Sequence, residues 1–538
     1  MKRILFVVVV GCFLFSSCGD FLEEYSKDLV YASSCEDLDE IIIGNGYMKR
    51  NANQEYAYYR ENELYYPYLH VMDDDVEEFL SGAVKMLTNA NPAVRYRNFY
   101  TWGERPFSDM TGAELVDSDW KRLYEHIGYV NVIISYVKEF ESDPEEIRHR
   151  IAGEALFLRG WYYYMLVNLY AKPYSKETAG KDLGVPLKTT EYIEDIYFKR
   201  NTVEETYSLI TSDLEASARL LKGKAHQSVF QANYHAVQAF LSRVNLYLGE
   251  YEAALQAADS VLQGDYVLLD YNEFAQTVAS PADMYGIHDI VPVDVINQAS
   301  VETIFTQGAG TFAGNISAFG FASGSELARV NRYKASEDLV QMYSKEQDRG
   351  TDLRSTFFMY VNQTDPTSKR YIQKQTTSSL TTASSEFLLR LPEVLLNKAE
   401  ALAMLGRDVE AMAVLEELRV KRIVAAEYKE LDARSGKKLI ELIRDERRRE
   451  LCGEGHRWFD LRRYAVHPKY PSTKEIVHDH YFYDNSIRQV TYVGSYRLNM
   501  YESEPAYVIP IPQHVIEFNK GNMVDNETRP DREAFIRF

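Results

Sequence analysis

The chain has 538 residues, which is enough for a large buried core or for several domains. With 80 acidic and 60 basic side chains it has a formal net charge of -20, which repels polyphosphates and makes nucleic acid a poor partner. The 41 tyrosines combine an apolar ring face with a polar hydroxyl group. That combination is typical of wet interfaces and ligand platforms as well as of cores.

The first residues have the pattern of a lipoprotein signal peptide. Two basic residues precede an apolar run at 4–15, which is too short for a permanent membrane helix. Two serines then precede Cys18, which resembles a bacterial lipobox. We expect cleavage after residue 17 and acylation of Cys18, with ordinary cleavage beside an incidental cysteine as the alternative. Several acyl chains anchor firmly, because each buried methylene contributes about 0.8 kcal/mol.

Few cysteines remain in the mature chain. Only Cys35 and Cys452 follow the lipidated residue, and the sequence leaves open whether they pair. Two cysteines make no disulfide framework, and neither lies in the CxxC spacing of a metal site. No later apolar run approaches the length of a membrane span. We therefore expect a tethered and otherwise soluble protein.

Helical periodicity dominates the strongest segments of the chain. Asp117 is predicted to cap an amphipathic helix, and Pro144 to open a longer, buried helix that ends near Ala171. The segments 236–255 and 395–415 each predict a helix, a Leu-Gly turn and a second helix. The glycine of each turn is expected to adopt a left-handed conformation. Both segments resemble tetratricopeptide helix pairs, which usually form scaffolds.

The helical pattern disappears between residues 264 and 325, where glycines alternate with aromatic residues. A long glycine-rich region inside a compact domain is usually functional or disordered. Similar irregular zones are predicted at 55–111 and at 467–512. The predicted organisation is a signal peptide (1–17), a lipid-anchored tether (18–30), an N-terminal helical region (31–263), a loop-rich ligand-face insertion (264–325) and a C-terminal region (326–538).

No catalytic motif is present. The sequence has no Gly-x-Ser-x-Gly elbow, no His-Glu-x-x-His, no phosphate-binding loop and no dinucleotide fingerprint. Asp73, Asp74 and Asp75 could bind a hard cation or act as a glycosidase pair. We expect these three residues to be solvated on an exposed loop instead. The sequence therefore predicts no catalytic residue, no metal and no cofactor.

Aromatic clusters are the better indication of a ligand site. Sugar rings stack their C–H faces on tyrosine and tryptophan, while their hydroxyl groups bond to polar neighbours. The segments 56–68 and 96–105 combine tyrosines with polar side chains, and the second contains one of only four tryptophans. The competing interpretation is that these rings seal loops onto the helices.

The densest chemistry lies in Glu446-Arg-Arg-Arg-Glu-Leu-Cys-Gly-Glu-Gly-His-Arg-Trp-Phe-Asp-Leu-Arg-Arg463. Its first part predicts an amphipathic helix on which three consecutive arginines point in three directions, so they cannot form one phosphate-binding stripe. Glu446 and Glu450 lie within one helical turn of several arginines. We expect Arg–carboxylate pairs to attach this helix and the following turn to neighbouring helices. His456 as a general base would need partners that the sequence does not supply.

This segment closely resembles the C-terminal signature of the SusD/RagB family, the surface glycan-binding lipoproteins of Bacteroidetes. A Cys-Gly pair replaces the Ala-Phe type pair that is common there. Glu154-Ala-Leu-Phe-Leu-Arg-Gly-Trp161, Arg390-Leu-Pro-Glu-Val-Leu-Leu-Asn-Lys-Ala-Glu-Ala401 and Tyr507-Val-Ile-Pro-Ile-Pro512 extend the resemblance over nearly the whole chain. Acidic residues just after Cys18 also resemble the surface-export signal of such lipoproteins.

The resemblance implies an all-α fold, with four tetratricopeptide-like helix pairs that support a loop-rich ligand face, and no reaction. It also implies an oligosaccharide or other nutrient as ligand, a SusC-type TonB-dependent transporter as partner, and a lipid anchor in the outer membrane that leaves the protein facing the exterior. From the aromatic cluster at 56–68 we expect ligand contacts by Tyr66 and Tyr68. Platforms in the family usually lie around Trp102 and in the loops from 285 to 321, which implies further contacts from Tyr100, Trp102, Arg105, Tyr285, Phe319 and Phe321.

Other functions stay open at this point. One is a glycoside hydrolase lipoprotein, which would release reducing ends from a glycan. Another is a helical-repeat adaptor subunit that associates with an outer-membrane barrel and has no affinity for small ligands. Within the family itself, a peptide could replace the glycan. The sequence does not name the glycan or its affinity.

Overall fold

The structure of the protein is a computed structural model, which describes residues 32–48, 65–78, 96–109, 111–225, 228–274, 295–307, 333–344, 349–361, 370–372, 374, 387–484 and 489–537. It is mostly helical, as the sequence predicted. The α-helices of these residues are α1 (Cys35–Ile41), α2 (Arg97–Tyr100), α3 (Ser118–Tyr136), α4 (Glu145–Tyr170), α5 (Val203–Leu221), α6 (Tyr234–Leu248), α7 (Tyr251–Val261), α8 (Tyr271–Phe274), α9 (Glu337–Met342), α10 (Arg354–Phe357), α11 (Leu391–Met404), α12 (Asp408–Arg419), α13 (Gly436–Leu451), α14 (Arg457–Ala465) and α15 (Gln513–Phe518).

The strands are short apart from the last two. They are β1 (Val76–Glu78), β2 (Thr303–Thr306), β3 (Tyr333–Ala335), β4 (Met359–Val361), β5 (Arg370–Ile372), β6 (Leu388–Arg390), β7 (Ile476–Asp484) and β8 (Gln489–Leu498). Within the described ranges they form antiparallel pairs, which are β1 with β3, β2 with β6, β4 with β5 and β7 with β8. None of these pairs makes an extended sheet, so the helices form the scaffold.

Local signals determine where the long helices begin. The carboxylate of Asp117 accepts hydrogen bonds from the backbone N–H groups of Asp119 and Trp120, at 3.0 and 3.2 Å, and so caps α3. Helix α4 begins directly after Pro144 and has 26 residues. A proline is tolerated at this end because the first N–H groups of a helix have no partner within it. Both predicted starts are confirmed.

Helix α4 lies at the centre of the core. From Gly153 to Tyr170 every residue except Leu156 is buried, and α4 packs against both α3 and α5. Gly153 lets α5 approach closely, because a Cβ atom at this position would lie 2.6 Å from the side chain of Leu221. None of the described helices, α4 included, is both long enough and apolar enough to cross a membrane.

Two helical hairpins stack side by side. Helix α6 meets α7 at Gly249, and α11 meets α12 at Gly406. The φ angles of these glycines are 74° and 77°, in the left-handed region that glycine adopts without steric cost. Helix α7 packs against α11, which joins the two hairpins. The predicted helix pairs at 236–255 and 395–415 are therefore confirmed.

The prediction of an irregular zone at 467–512 is wrong, because this zone contains the β7–β8 hairpin. The two strands pair along their length, with a bulge between His480 and Tyr481. Ile476, His478 and His480 are the buried residues at the start of β7. Two polar histidines thus occupy inward positions that apolar residues usually fill. For this reason the sequence lacked the hydrophobic alternation that indicates a strand.

Part of the predicted ligand-face insertion belongs to the core. Strand β2, within 264–325, pairs with β6 in front of helix α11. Phe305 on this strand is buried and packs against the rings of Phe157 and Trp161 on α4, with centroids 5.0 and 5.6 Å away. The insertion is therefore anchored to the scaffold by at least one core strand.

Candidate functional site

Four of the predicted ligand-binding side chains lie in the core. They are Tyr66, Tyr68, Tyr100 and Trp102, none of which is more than 3% exposed. The ring of Tyr68 stacks on that of Phe99, with 4.3 Å between centroids. The Nε1–H group of Trp102 donates to the carbonyl oxygen of Met72 at 2.8 Å. A covered ring cannot stack on a sugar, so the structure corrects the prediction of a ligand platform here. These rings seal loops onto the helices.

His478 on β7 explains why Tyr100 and Trp102 are buried. Its imidazole lies between their rings, with centroids 4.1 and 4.3 Å away. Its ring nitrogens lie 2.8 Å from the carbonyl oxygen of Tyr100 and 3.0 Å from that of Asp73. Burial lowers the pKa of His478 to about 4, so the neutral ring donates to one of these carbonyls at a time. The β7–β8 hairpin is thus attached over the aromatic cluster.

The three consecutive aspartates are also buried, although the sequence placed them on an exposed loop. The carboxylate oxygens of Asp73, Asp74 and Asp75 lie within 4.8 Å of one another. This spacing would allow them to share a hard cation. Burial and the neighbouring Asp75 and Asp74 carboxylates raise the pKa of Asp73 well above its usual range.

Three basic side chains balance the charge of these aspartates. The Nε atom of Arg448 lies 2.7 Å from Asp75, and the Nε atom of Arg457 lies 2.7 Å from Asp74, which Lys474 also contacts. Burial favours the neutral form of Asp74, but the two guanidinium groups outweigh it and hold the pKa of this carboxyl well below its usual range. The aspartates therefore form an internal ion-pair network with the arginine-rich signature.

The signature helix α13 contributes a second buried ion-pair network. The carboxylate of Glu450 lies 3.0 Å from Arg354, 2.8 Å from Arg390 and 3.1 Å from Arg422. Glu446 pairs within its own helix with Arg449 at 2.7 Å. Burial alone would raise the pKa of Glu450, but the three guanidinium groups lower it well below its usual range. The predicted structural role of this segment is confirmed, with most partners of Glu450 supplied by other segments.

The other predicted site residues are placed differently. Arg105 is exposed and stays a predicted ligand contact. Outside the described residues lie Cys18, Tyr285, Phe319 and Phe321. Cys35 and Cys452 are buried free thiols, so they do not pair. Burial raises the pKa of the Cys35 thiol to about 11, which disfavours the nucleophilic thiolate at neutral pH.

The exposed aromatic rings lie where the sequence predicted no ligand contact. Among residues whose side chains the structure describes, the exposed aromatic residues are Tyr192 (60%), Tyr197 (47%) and Phe518 (46%). Ile193 and Ile196 are exposed on the same loop as the tyrosines. The available signal was the run Tyr-Ile-Glu-Asp-Ile-Tyr at 192–197, which places four apolar residues within six positions.

Two family models together match most of the chain. The model of the SusD family matches residues 301–528, which include the arginine-rich signature. A model described as starch-binding associating with outer membrane matches residues 23–246, which include the exposed tyrosines. The two matches therefore extend over both the scaffold and its exposed surface.

Similar proteins share the fold at low sequence identity. Two SusD-like proteins of Formosa agariphila are each 22% identical, one over 72% of this chain and 83% of its own length, the other over 85% and 88%. A SusD superfamily protein of Bacteroides thetaiotaomicron has a TM-score of 0.64 at 21% identity, covering 92% of this chain and all of its own. A SusD-like carbohydrate binding protein of Bacteroides vulgatus has a TM-score of 0.60 at 17% identity, covering 91% and 97%.

Proposed function

The chain belongs to the SusD/RagB family, and from this we propose that it is a surface lipoprotein that captures an oligosaccharide and delivers it to a SusC-type TonB-dependent transporter. The pair of family-model matches, at 23–246 and 301–528, carries the proposal. The description of the model that matches residues 23–246 names both starch binding and association with the outer membrane. We therefore assign the chain a carbohydrate ligand and a place at the outer membrane.

Three buried carboxyl groups, those of Glu446, Glu450 and Asp117, do not suit glycoside hydrolysis. A glycosidase needs one carboxyl group that donates a proton to the substrate and a second that acts as base or nucleophile. Glu446 and Glu450 are held ionised by fixed arginines. Burial and Asp119 raise the pKa of Asp117 to about 7, but this carboxylate caps α3 and accepts a hydrogen bond from Tyr170 inside the core. No substrate could reach it there.

An uncharged ligand suits the charge of the protein. The formal net charge of -20 repels acidic glycans and nucleic acids at a distance. The negative electrostatic field of the protein does not repel a neutral sugar, which can bind by stacking and by hydrogen bonds. The predicted contacts Arg105, Tyr285, Phe319 and Phe321 remain part of the proposal, since they combine a polar group with aromatic rings.

We place the lipid anchor at Cys18, with the folded part facing the exterior. Cys18→Ala should abolish labelling with radioactive palmitate and release the protein from the outer-membrane fraction. Cys35→Ala is the matched control, because Cys35 is a buried thiol that should leave both properties unchanged. Labelling that survives Cys18→Ala would contradict the anchor.

The ligand and the partner can be tested with the same protein. The mature chain should retain at least one neutral oligosaccharide on a glycan array and release no reducing ends from it. Affinity purification from outer membranes should recover a TonB-dependent barrel. Release of reducing ends would favour a glycoside hydrolase. Recovery of the barrel without binding to any glycan would favour an adaptor subunit and overturn the proposal.

A further inference from the structure

The backbone around Tyr192, the first exposed tyrosine in the loop between α4 and α5, is held in place by hydrogen bonds. The Nζ atom of Lys188 lies 3.0 Å from the carbonyl oxygen of Thr190 and 3.0 Å from Oε2 of Glu194. The side-chain amide of Asn131, on α3, donates to the carbonyl of Lys188 at 3.0 Å. The turn that carries Tyr192 is therefore attached to the scaffold by polar contacts. Its apolar side chains are not needed for that attachment.

The second half of the loop is attached to the segment that follows α15. The backbone N–H of Phe198 donates to Oδ1 of Asn519 at 2.6 Å, and Nδ2 of Asn522 donates to the carbonyl of Tyr197 at 3.1 Å. The exposed Phe518 directly precedes Asn519. We use the name loop–helix face for the exposed apolar residues of these two adjacent segments, which are Tyr192, Ile193, Ile196, Tyr197 and Phe518.

Both tyrosines of the loop–helix face have an ammonium group over the ring. The Nζ atom of Lys188 lies 5.4 Å from the ring centroid of Tyr192, and that of Lys520 lies 4.9 Å from the centroid of Tyr197. The ring quadrupole attracts a cation at this distance and so limits the motion of the ring. A ligand that stacks on the opposite ring face meets rings that are already oriented, which reduces the entropy cost of binding.

The polar groups beside the rings suit a sugar. Glu191, Asp195 and Asn522 are exposed next to the two tyrosines in the chain or in hydrogen-bond contact with them. Carboxylate and amide oxygens accept hydrogen bonds from sugar hydroxyl groups, while the ring accepts the apolar C–H face. Lys188 and Lys520 offset these two carboxylates locally, so the local groups do not select by charge. The formal net charge of -20 on the whole protein repels acidic sugars and therefore favours an uncharged oligosaccharide.

We propose that Tyr192 and Tyr197 form a stacking platform for an uncharged oligosaccharide. This inference rests on the proposed function, to which it adds the residues that contact the ligand. It replaces the platform predicted at Tyr100 and Trp102, whose rings are covered. A sugar uses the flat faces of the rings, whereas a protein partner would use the whole apolar surface, including Ile193 and Ile196.

The test compares three double variants with the wild type. Tyr192→Ala/Tyr197→Ala removes both rings, and Tyr192→Phe/Tyr197→Phe keeps the rings without the hydroxyl groups. Ile193→Ser/Ile196→Ser is the matched control, since it keeps both rings and removes apolar surface from the same loop. An array of neutral oligosaccharides that includes maltoheptaose selects the probe, and calorimetry with the most strongly retained oligosaccharide measures each affinity. Thermal unfolding confirms that every variant is folded.

The expected result separates ring stacking from the other possibilities. The alanine double variant should bind about tenfold or more weakly, because it loses two stacking contacts. The phenylalanine and serine variants should stay within about twofold of the wild type. Unchanged affinity of the alanine variant would overturn the platform and leave the proposed function intact. An equal loss in the serine variant would also overturn it. A wild type that retains no oligosaccharide would overturn both.

Discussion

The segment 446–463 and the loop at 188–198 reverse the usual relation between polarity and exposure. In the first, charged side chains such as Glu450 and Arg447 are fully buried. In the second, Tyr192, Ile193 and Tyr197 are exposed. Charged groups are rarely buried unless they are paired, and large apolar groups are exposed together mainly at binding sites. The difference shows that partners, rather than residue type, decide which side chains this fold covers.

Each segment is held by contacts that its residue types alone do not reveal. The buried carboxylate of Glu450 has guanidinium partners from three other segments, so its desolvation is offset by several ion pairs. The loop is held by a hydrogen bond from Asn131 to the carbonyl of Lys188 and by one from the N–H of Phe198 to Asn519, and neither involves its exposed apolar side chains. Four predictions test this contrast.

Glu450→Gln should have the largest effect. The substitution keeps the shape of the side chain but removes the charge that Arg354, Arg390 and Arg422 share. Breaking a buried ion-pair network costs about 3–5 kcal/mol, because uncompensated charges remain inside the protein. Urea denaturation should show that loss in the free energy of unfolding.

The exposed pair of Arg407 and Glu410 is the matched control for Glu450→Gln. Here a single arginine contacts both carboxylate oxygens, with distances of 2.8 and 2.6 Å, and both side chains face solvent. Glu410→Gln should leave the urea midpoint unchanged, since solvent weakens such pairs. If both variants lost the same stability, ion pairing rather than burial would explain the effect of Glu450→Gln, and the contrast between buried and exposed pairs would be wrong.

Trp102→Ala should destabilise the fold by about 3–5 kcal/mol, as large-to-small changes at buried aromatic residues do. The variant leaves a cavity beside His478 and removes the donor to Met72. Trp102→Phe keeps a ring against His478 and should lose less. Thermal and chemical unfolding measure both. A Trp102→Ala protein that unfolds like the wild type but no longer binds oligosaccharide would show that this ring contacts the ligand after all.

Acid should weaken the pair of Glu400 and Arg463, whose two N–O distances are 2.7 and 2.8 Å. Burial alone would raise the pKa of Glu400, but the guanidinium group lowers it to about 2. Since the folded state favours the ionised form, the pair stabilises fully above the ordinary pKa of 4.5. That stability, about 3 kcal/mol, is lost as the pH falls from 4.5 to about 2.

Urea unfolding of the wild type and of Glu400→Gln, measured across this pH range, isolates the contribution of Glu400. The difference between the two proteins should shrink steadily below pH 4.5, because the other acidic groups titrate in both. A constant difference from neutral pH down to pH 2 would show that the charge of Glu400 contributes no pH dependence.

Tyr192→Ala should have the smallest effect on stability, less than about 0.5 kcal/mol, because exposed side chains away from special features contribute little. Tyr163→Phe is the control on the scaffold side. It removes the hydroxyl group that donates to the carbonyl of Lys188 at 2.7 Å and should cost about 1 kcal/mol. A larger loss for Tyr192→Ala than for Tyr163→Phe would mean that the exposed ring holds the loop in place.

The helices could be predicted because their signals are local. Asp117 caps α3 with hydrogen bonds to residues two and three positions away. Gly249 and Gly406 end helices at the turns where a left-handed residue is needed. Likewise, the alternation of acids and arginines in α13 predicted pairing, because oppositely charged residues one turn apart meet on a helix.

The β7–β8 hairpin and the covered aromatic rings could not be predicted in this way. His478 contacts the carbonyl of Tyr100, 378 residues away, and His480 contacts the carboxylate of Glu78, 402 residues away. Such contacts leave no period in the sequence. A strand with histidines at its inward positions therefore has the sequence pattern of a loop. The same distance in sequence hid the burial of Asp73, Asp74 and Asp75, whose arginine partners lie in the signature.

The amino-acid sequence alone was enough to predict the helical scaffold, its caps and turns, and the resemblance to the SusD/RagB family. These features depend on residues that lie within a few positions of one another. Which aromatic rings are covered and which face solvent follows from the tertiary contacts and not from the sequence. Exposure depends on what packs against a side chain, and here the hairpin covers Trp102 while nothing comparable covers Tyr192 among the described residues.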